Sequence, residues 1–138
     1  MSENADFIHS LYGAFSRGDI ATILAALAPD VDWVCEGPAS VPFCGKFRGP
    51  EQVSKFFVAL ATTQSGHDLK IEETYAAGDQ VFTINRYSCV VNVSGKKVDA
   101  RGVHVFTVKN GKVTRFLEIF DSAAAVDAYK AAPAGASA

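Results

Sequence analysis

The sequence predicts an α+β fold: three N-terminal helices packed on a curved, mostly antiparallel sheet, a cone-shaped α+β barrel with a cavity at its centre. Three observations predict it. Apolar residues recur at helical spacing through much of the first 61 residues, four consecutive strand-like runs follow between Asp68 and Asp121, and 138 residues suffice for one core but not two. Residues 1–131 are read as a single domain, and 132–138, small and polar, as a frayed tail.

From residue 3 to 17, Phe7, Ile8, Leu11, Tyr12 and Phe15 share a face while Glu3, Asp6, His9 and Ser16 fall elsewhere, which predicts an amphipathic helix stopped near Gly18. Asp19 then caps a second helix, IATILAALA, that ends before Pro29, since the residue ahead of a proline avoids the helical region. Its apolar residues go nearly all the way round, so it is expected to be buried. Asp30 to Glu36 alternates as a first strand, with Val31, Trp33 and Cys35 on one side. Two prolines and three glycines make Gly37 to Gly49 an irregular loop, although Val41, Phe43 and Phe47 would close over something. Pro50 suits the first turn of a third helix, Glu51 to Ala61, whose inner stripe is Val53, Phe56, Phe57 and Leu60. Asp68 to Ala77 reads as a strand, Gly78-Asp79 as a turn, and Val81 to Val93 as a long strand leading through Ser94-Gly95 into a hairpin over Val98 to Asp121. SAAAVDAYKAA would add one or two helical turns packed back on the body.

The hairpin carries the chemistry. Its strands, rich in Val, Phe, Ile and Thr, flank Lys109-Asn110-Gly111 and contain His104 in the first and Glu118 in the second. A two-residue turn would send these two to opposite faces; a three-residue loop closed by Gly111 in the left-handed region puts them on one face. The three-residue loop is the expectation. It gathers Phe106, Phe116 and Phe120 around the pair, leaves room at Ala100 and Gly102, and brings Arg101 near Asp121 on the other side. A carboxylate left unpaired among aromatics costs several kcal/mol, a cost that a His-Glu couple avoids. The competing reading is a satisfied core histidine and a glutamate that reaches solvent at a strand end. Val103, Val105, Leu117 and Ile119 make the opposite face apolar too. Helices can cover only one face, so a homodimer through the sheet is expected.

Composition excludes several function classes. A net charge of -2 with no Lys/Arg cluster beyond Lys96-Lys97 argues against nucleic acid as a partner. No apolar run approaches the roughly 18 residues of a membrane span, and MSENADFIHSLY lacks the basic and apolar regions of a signal peptide. Cys35, Cys44 and Cys89 show no zinc-ligand spacing and are read as reduced thiols in a cytoplasmic setting. The chemistry contemplated needs no metal and no organic cofactor.

Four strings, YGAFSRGDI (Tyr12 to Ile20), LAPDVDW (Leu27 to Trp33), VPFCGKFRGPEQVSKFF (Val41 to Phe57) and VHVFTVKNGKVTRFLEIFD (Val103 to Asp121), taken with the order of elements, resemble the SnoaL-like branch of the nuclear transport factor 2-like superfamily, which also includes ketosteroid isomerase. The likeness spans about residues 5–122. It implies the fold more than the activity, because the fold hosts isomerases, cyclases, epoxide hydrolases, dehydratases and noncatalytic binders. By resemblance, the isomerase's proton-abstracting carboxylate falls at Glu36 counting back from Pro42 and Gly45, or at Cys35 counting forward from Asp30. His104 is placed similarly to the protonated aspartic acid of the isomerase's oxyanion hole, and to the strand histidine of SnoaL-type cyclases. Glu118 resembles the acid/base aspartate of those cyclases. Two departures stand out: the isomerase's oxyanion tyrosine falls at Leu11, with Tyr12 turned about 100° further round the helix, and the Arg-Asp pairing of limonene epoxide hydrolases, due near Asn85 and Tyr87, is absent.

Together these predict a cofactor-independent proton-transfer enzyme of isomerase, cyclase or lyase type, acting on a small hydrophobic carbonyl compound. Glu36 or Glu118 would take the proton and His104 would stabilise the oxyanion, inside walls made by Tyr12, Trp33, Phe57, Tyr87, Phe106, Phe116 and Phe120. The aromatic residues also read as plain core, Tyr12 as an interior helix residue with a locally bonded hydroxyl, and Cys35 and Cys44 as small buried hydrophobes. The alternative is a noncatalytic binding or structural dimer module of the same fold.

Overall fold

The computed structural model describes residues 2–130. Helix α1 (Glu3–Ser16) starts at Ser2, whose Oγ accepts from the Ala5 N–H at 3.0 Å, and its inner stripe buries Ala5, Ile8, Leu11 and Ala14. Asp19 caps α2 (Ile20–Ala25) by accepting from the Thr22 N–H. This helix is shorter than expected, and only Ile23 of it is buried. Leu27 and Ala28 instead open strand β1 (Leu27–Cys35), because pairing with the last strand, where the Val113 N–H donates to the Ala26 carbonyl at 2.9 Å, outweighs their helix propensity. Pro29 has no N–H to give and lies in the stretch between Leu27 and Asp32 where that pairing lapses.

The segment expected to be irregular contains a short strand, β2 (Gly45–Arg48), which pairs with β1 and sets Phe47 opposite Trp33. Helix α3 (Gly49–Thr63) carries Pro50 in its first turn and buries Val53, Phe56, Phe57 and Leu60. Strands β3 (Gln64–Ala77), β4 (Gln80–Val91), β5 (Lys97–Lys109) and β6 (Lys112–Phe120) follow, then helix α4 (Ala123–Tyr129). Residues 131–138, which include the expected tail, lie outside the described residues.

The sheet runs β2-β1-β6-β5-β4-β3, antiparallel throughout except where β1 lies parallel to β6. The first long strand thus borders the last one, with Trp33 beside Phe116 and Cys35 beside Glu118. Register shifts within the β3–β4, β1–β6 and β5–β6 pairs bend the sheet around the helices. On its inner face β4 buries Val81, Thr83, Asn85 and Cys89, and β5 buries Ala100, His104, Phe106 and Val108.

The hairpin reaches the expected pairing by a different route. Asn110 and Gly111 have φ of 53° and 72° and Lys109 pairs with Lys112, which is a two-residue type I′ turn rather than a three-residue loop. That register alone would send Glu118 to the outer face. Between Thr107 and Val108 the pairing shifts by one, so that Thr107 faces Arg115 and Thr114 is the extra residue of a bulge, its Oγ1 donating to the Thr107 carbonyl at 3.3 Å. Beyond the bulge, His104 stands directly opposite Glu118. On the other face the Asp121 N–H donates to the Arg101 carbonyl at 3.1 Å, while the Arg101 guanidinium turns to Glu72. Among the described residues no helix is long and apolar enough to cross a membrane.

Candidate active site

The helices and the inner face of the sheet enclose a cavity of about 90 Å³, several times the ~10–15 Å³ that one water needs. Its walls are mostly apolar. All seven residues expected to shape a pocket line it: Tyr12, Trp33, Phe57, Tyr87, Phe106, Phe116 and Phe120. They are core and wall at once. Trp33 stacks on Phe116 with ring centroids 4.0 Å apart, and Phe116 in turn touches Phe106 at 5.0 Å and the His104 ring at 4.9 Å. Such contacts lock the rings and leave their remaining surface to the cavity.

A line of polar groups crosses this apolar wall. Thr83 Oγ1 lies 2.7 Å from the Tyr12 hydroxyl, which lies 2.7 Å from His104 Nδ1, and His104 Nε2 lies 3.3 Å from Glu118 Oε2. The His104 and Glu118 side chains are only 8% and 15% exposed, so the two face each other largely shielded from solvent. A carboxylate can only accept, so the imidazole proton sits on Nε2. In the neutral ring Nδ1 is then the acceptor, Tyr12 donates to it, and Thr83 donates to Tyr12. Burial raises the Tyr12 phenol pKa well above its ordinary value, against a smaller lowering by the Thr83 bond, and the Glu118 charge raises it further. Tyr12 is therefore a donor throughout the physiological range.

The structure brings Glu118, His104 and Tyr12 together and leaves Glu36 out. Glu36 follows the end of β1; its backbone N–H donates to the Glu118 carbonyl at 2.9 Å, but its side chain is exposed and does not line the cavity. Strand alternation is the reason: Val31, Trp33 and Cys35 point inward, so Glu36 points out. Cys35 occupies the position beside Glu118 and is 3.8 Å from the Cys44 sulfur. The bond to Cys44, burial, and the Glu118 charge all push the Cys35 thiol pKa up, so it stays protonated.

Sequence reasoning missed three polar residues of the cavity, Gln64, Asn85 and Tyr129. At one end Tyr87 donates to Gln64 Oε1 at 2.6 Å, and Gln64 Nε2 donates to the Tyr129 hydroxyl at 2.8 Å. Gln64 sits at the α3–β3 junction and Tyr129 on α4, and no periodicity marks either of them. Asn85 was legible, because it shares the inward alternation of Val81, Thr83 and Cys89. It is 2% exposed and its Nδ2 has no acceptor; the Trp33 Nε1 is likewise unpartnered. Phe120 and the backbone of Ile119 pack so tightly against Gly102 that a Cβ there would lie 2.9 Å from the Phe120 Cβ. Among the described residues no group of three His, Cys, Asp or Glu side chains is placed to hold a metal ion.

Comparison with known proteins agrees with this architecture. A family model described as a SnoaL-like domain matches residues 8–116. An uncharacterized protein of Mycobacterium tuberculosis strain H37Rv is 29% identical over 133 residues, 94% of this chain and 98% of its own. Among solved structures, a nuclear transport factor 2-like protein of unknown function from Burkholderia pseudomallei superposes with a TM-score of 0.87 at 29% identity, over 95% of this chain and 100% of its own. TerC, co-crystallized with polyporic acid, superposes with a TM-score of 0.83 at 28% identity, over 94% of this chain and 100% of its own. With the family match spanning most of the chain and the backbone superposing on these structures over nearly its full length, the chain belongs to the SnoaL-like domain family and has the nuclear transport factor 2-like fold.

Proposed function

We propose that the protein is an acid/base catalyst that moves a proton on a small hydrophobic carbonyl compound held in the cavity. The observation that carries this is the buried line from Tyr12 through His104 to Glu118, ending on a carboxylate at an apolar wall. Glu118 accepts the proton from the carbon next to the carbonyl. His104 orients Glu118 through Nε2–H and stabilises its carboxylate, and Tyr12 holds the imidazole in that tautomer. TerC, a structural relative co-crystallized with polyporic acid, supports a small-molecule occupant for the cavity. The apolar outer face built from Phe82, Ile84, Val103, Val105, Leu117 and Ile119 supports pairing with a second copy of the chain.

Hydrogen–deuterium exchange at C1 of 2-tetralone, a flat enolisable ketone, followed by NMR in D2O, tests the catalytic reading. The wild type is expected to accelerate exchange, and Glu118→Gln to lower the rate at least about a hundredfold while 2-naphthol still binds. If 2-tetralone binds but its exchange is no faster than in buffer, catalysis is excluded and the noncatalytic binding reading takes its place. That second reading has its own support in the two unpartnered donors of the cavity wall.

A further inference from the structure

His104 cannot serve as the oxyanion donor that sequence reasoning assigned to it, because both its ring nitrogens are engaged, Nδ1 by Tyr12 and Nε2 by Glu118. An enolate forming in the cavity needs a donor from elsewhere. The described residues contain two buried side-chain polar atoms without a partner, Asn85 Nδ2 and Trp33 Nε1. Both are donors, and both residues line the cavity. Other polar groups near the cavity, Gln64, Tyr87 and Tyr129, are already bonded to one another. These two donors have no acceptor within the protein, so an occupant that carries one would satisfy them.

We propose that Asn85 is the specificity-determining residue of the cavity: its Nδ2–H receives the carbonyl oxygen of the occupant, which selects oxygen-bearing flat molecules over hydrocarbons of the same shape. Three observations converge on it. Asn85 sits on the inward face of β4, one inward position from Thr83, which anchors Tyr12. Its cross-strand neighbour on β5 is Gly102, which offers no side chain to pair with the amide. Asn85 is also 2% exposed, and a buried amide retained without a partner is accounted for by an acceptor that arrives with the ligand. The assignment rests on the cavity's being the substrate site, and it gives the proton-transfer step the electrophile it otherwise lacks.

The test compares 2-tetralone with tetralin, which has the same ring skeleton and no acceptor. Each competes against 2-naphthol, read by the fluorescence of Trp33, the only tryptophan. The wild type is expected to prefer the ketone, and Asn85→Leu to lose about tenfold of ketone affinity, about 1.4 kcal/mol, with tetralin binding unchanged. Asn85→Ala repeats the measurement with a smaller side chain, should the leucine disturb the fold. Glu118→Gln is expected to keep the preference while losing exchange, so the two proposals fail separately. A ketone-to-tetralin ratio that is unchanged in both Asn85 variants overturns the assignment whatever the exchange rates show. A wild type that binds neither compound overturns it together with the substrate site.

Discussion

The Tyr12 hydroxyl sits between Thr83 and His104 and is bonded to both. Tyr12→Phe keeps the ring and removes both bonds, leaving a buried hydroxyl and a ring nitrogen unpaired. A loss of about 1–3 kcal/mol is expected in a urea titration at pH 8. The pH dependence follows from the raised phenol pKa. The folded state holds this proton more tightly than the unfolded chain does, so its contribution is whole below the ordinary phenol pKa of about 10 and is lost as pH rises past it. Wild-type stability should therefore fall between pH 9 and 11, and Tyr12→Phe should flatten part of that fall. The remainder comes from other raised groups, chiefly Tyr87, Tyr129 and Cys89, raised mainly by burial, and Cys35, raised by its bond to Cys44 and by burial. Residue identity alone offered both Glu36 and Glu118 as bases. Period-two alternation with Trp33 inward already pointed Glu36 outward, whereas the role of Tyr12 depends on how α1 lies across β4 and β5, which no local pattern encodes.

At the scale of elements, the β5–β6 hairpin shows how a correct pairing can rest on the wrong turn. The Asn-Gly signal specified a hairpin, and its backbone is the two-residue turn that those residues favour. The bulge at Thr114 then restores the facing of His104 and Glu118. A bulge depends on the pull of both strands, because Val113 and Phe116 must both reach the core although they are three residues apart. That condition becomes visible once the neighbouring strand is in place. The same hairpin is held close at Gly102, where a Cβ would meet the Phe120 Cβ at 2.9 Å and the Ile119 carbonyl oxygen at 3.0 Å. Gly102→Ala is expected to destabilise the protein by about 1–3 kcal/mol through overpacking. It should also slow exchange of 2-tetralone, because it pushes β6 away beside Glu118. Differential scanning calorimetry and the NMR exchange assay check the two effects, and an unchanged melting temperature would contradict the close packing.

At the scale of the whole molecule, the outer sheet face is notable for its apolar side chains. Ile119 is 52% exposed, amid half-buried Val103, Val105 and Leu117. A homodimer through this face predicts a dimeric mass by sedimentation velocity at micromolar concentration and a monomer for Ile119→Lys. A monomeric wild type would remove that interface. The sequence by itself determined the α+β class, the helical stripes, the hairpin and the aromatic lining, because these follow from spacing along a few neighbouring residues and from turn chemistry. Tertiary structure alone decided that β1 crosses to lie parallel to β6, that Tyr12 meets His104, and that Asn85 and Trp33 end with donors unmatched. Each of these joins residues far apart in the chain. Their partners are chosen by the packing of the assembled sheet against its helices, a competition among distant surfaces that leaves no periodic trace in the order of amino acids.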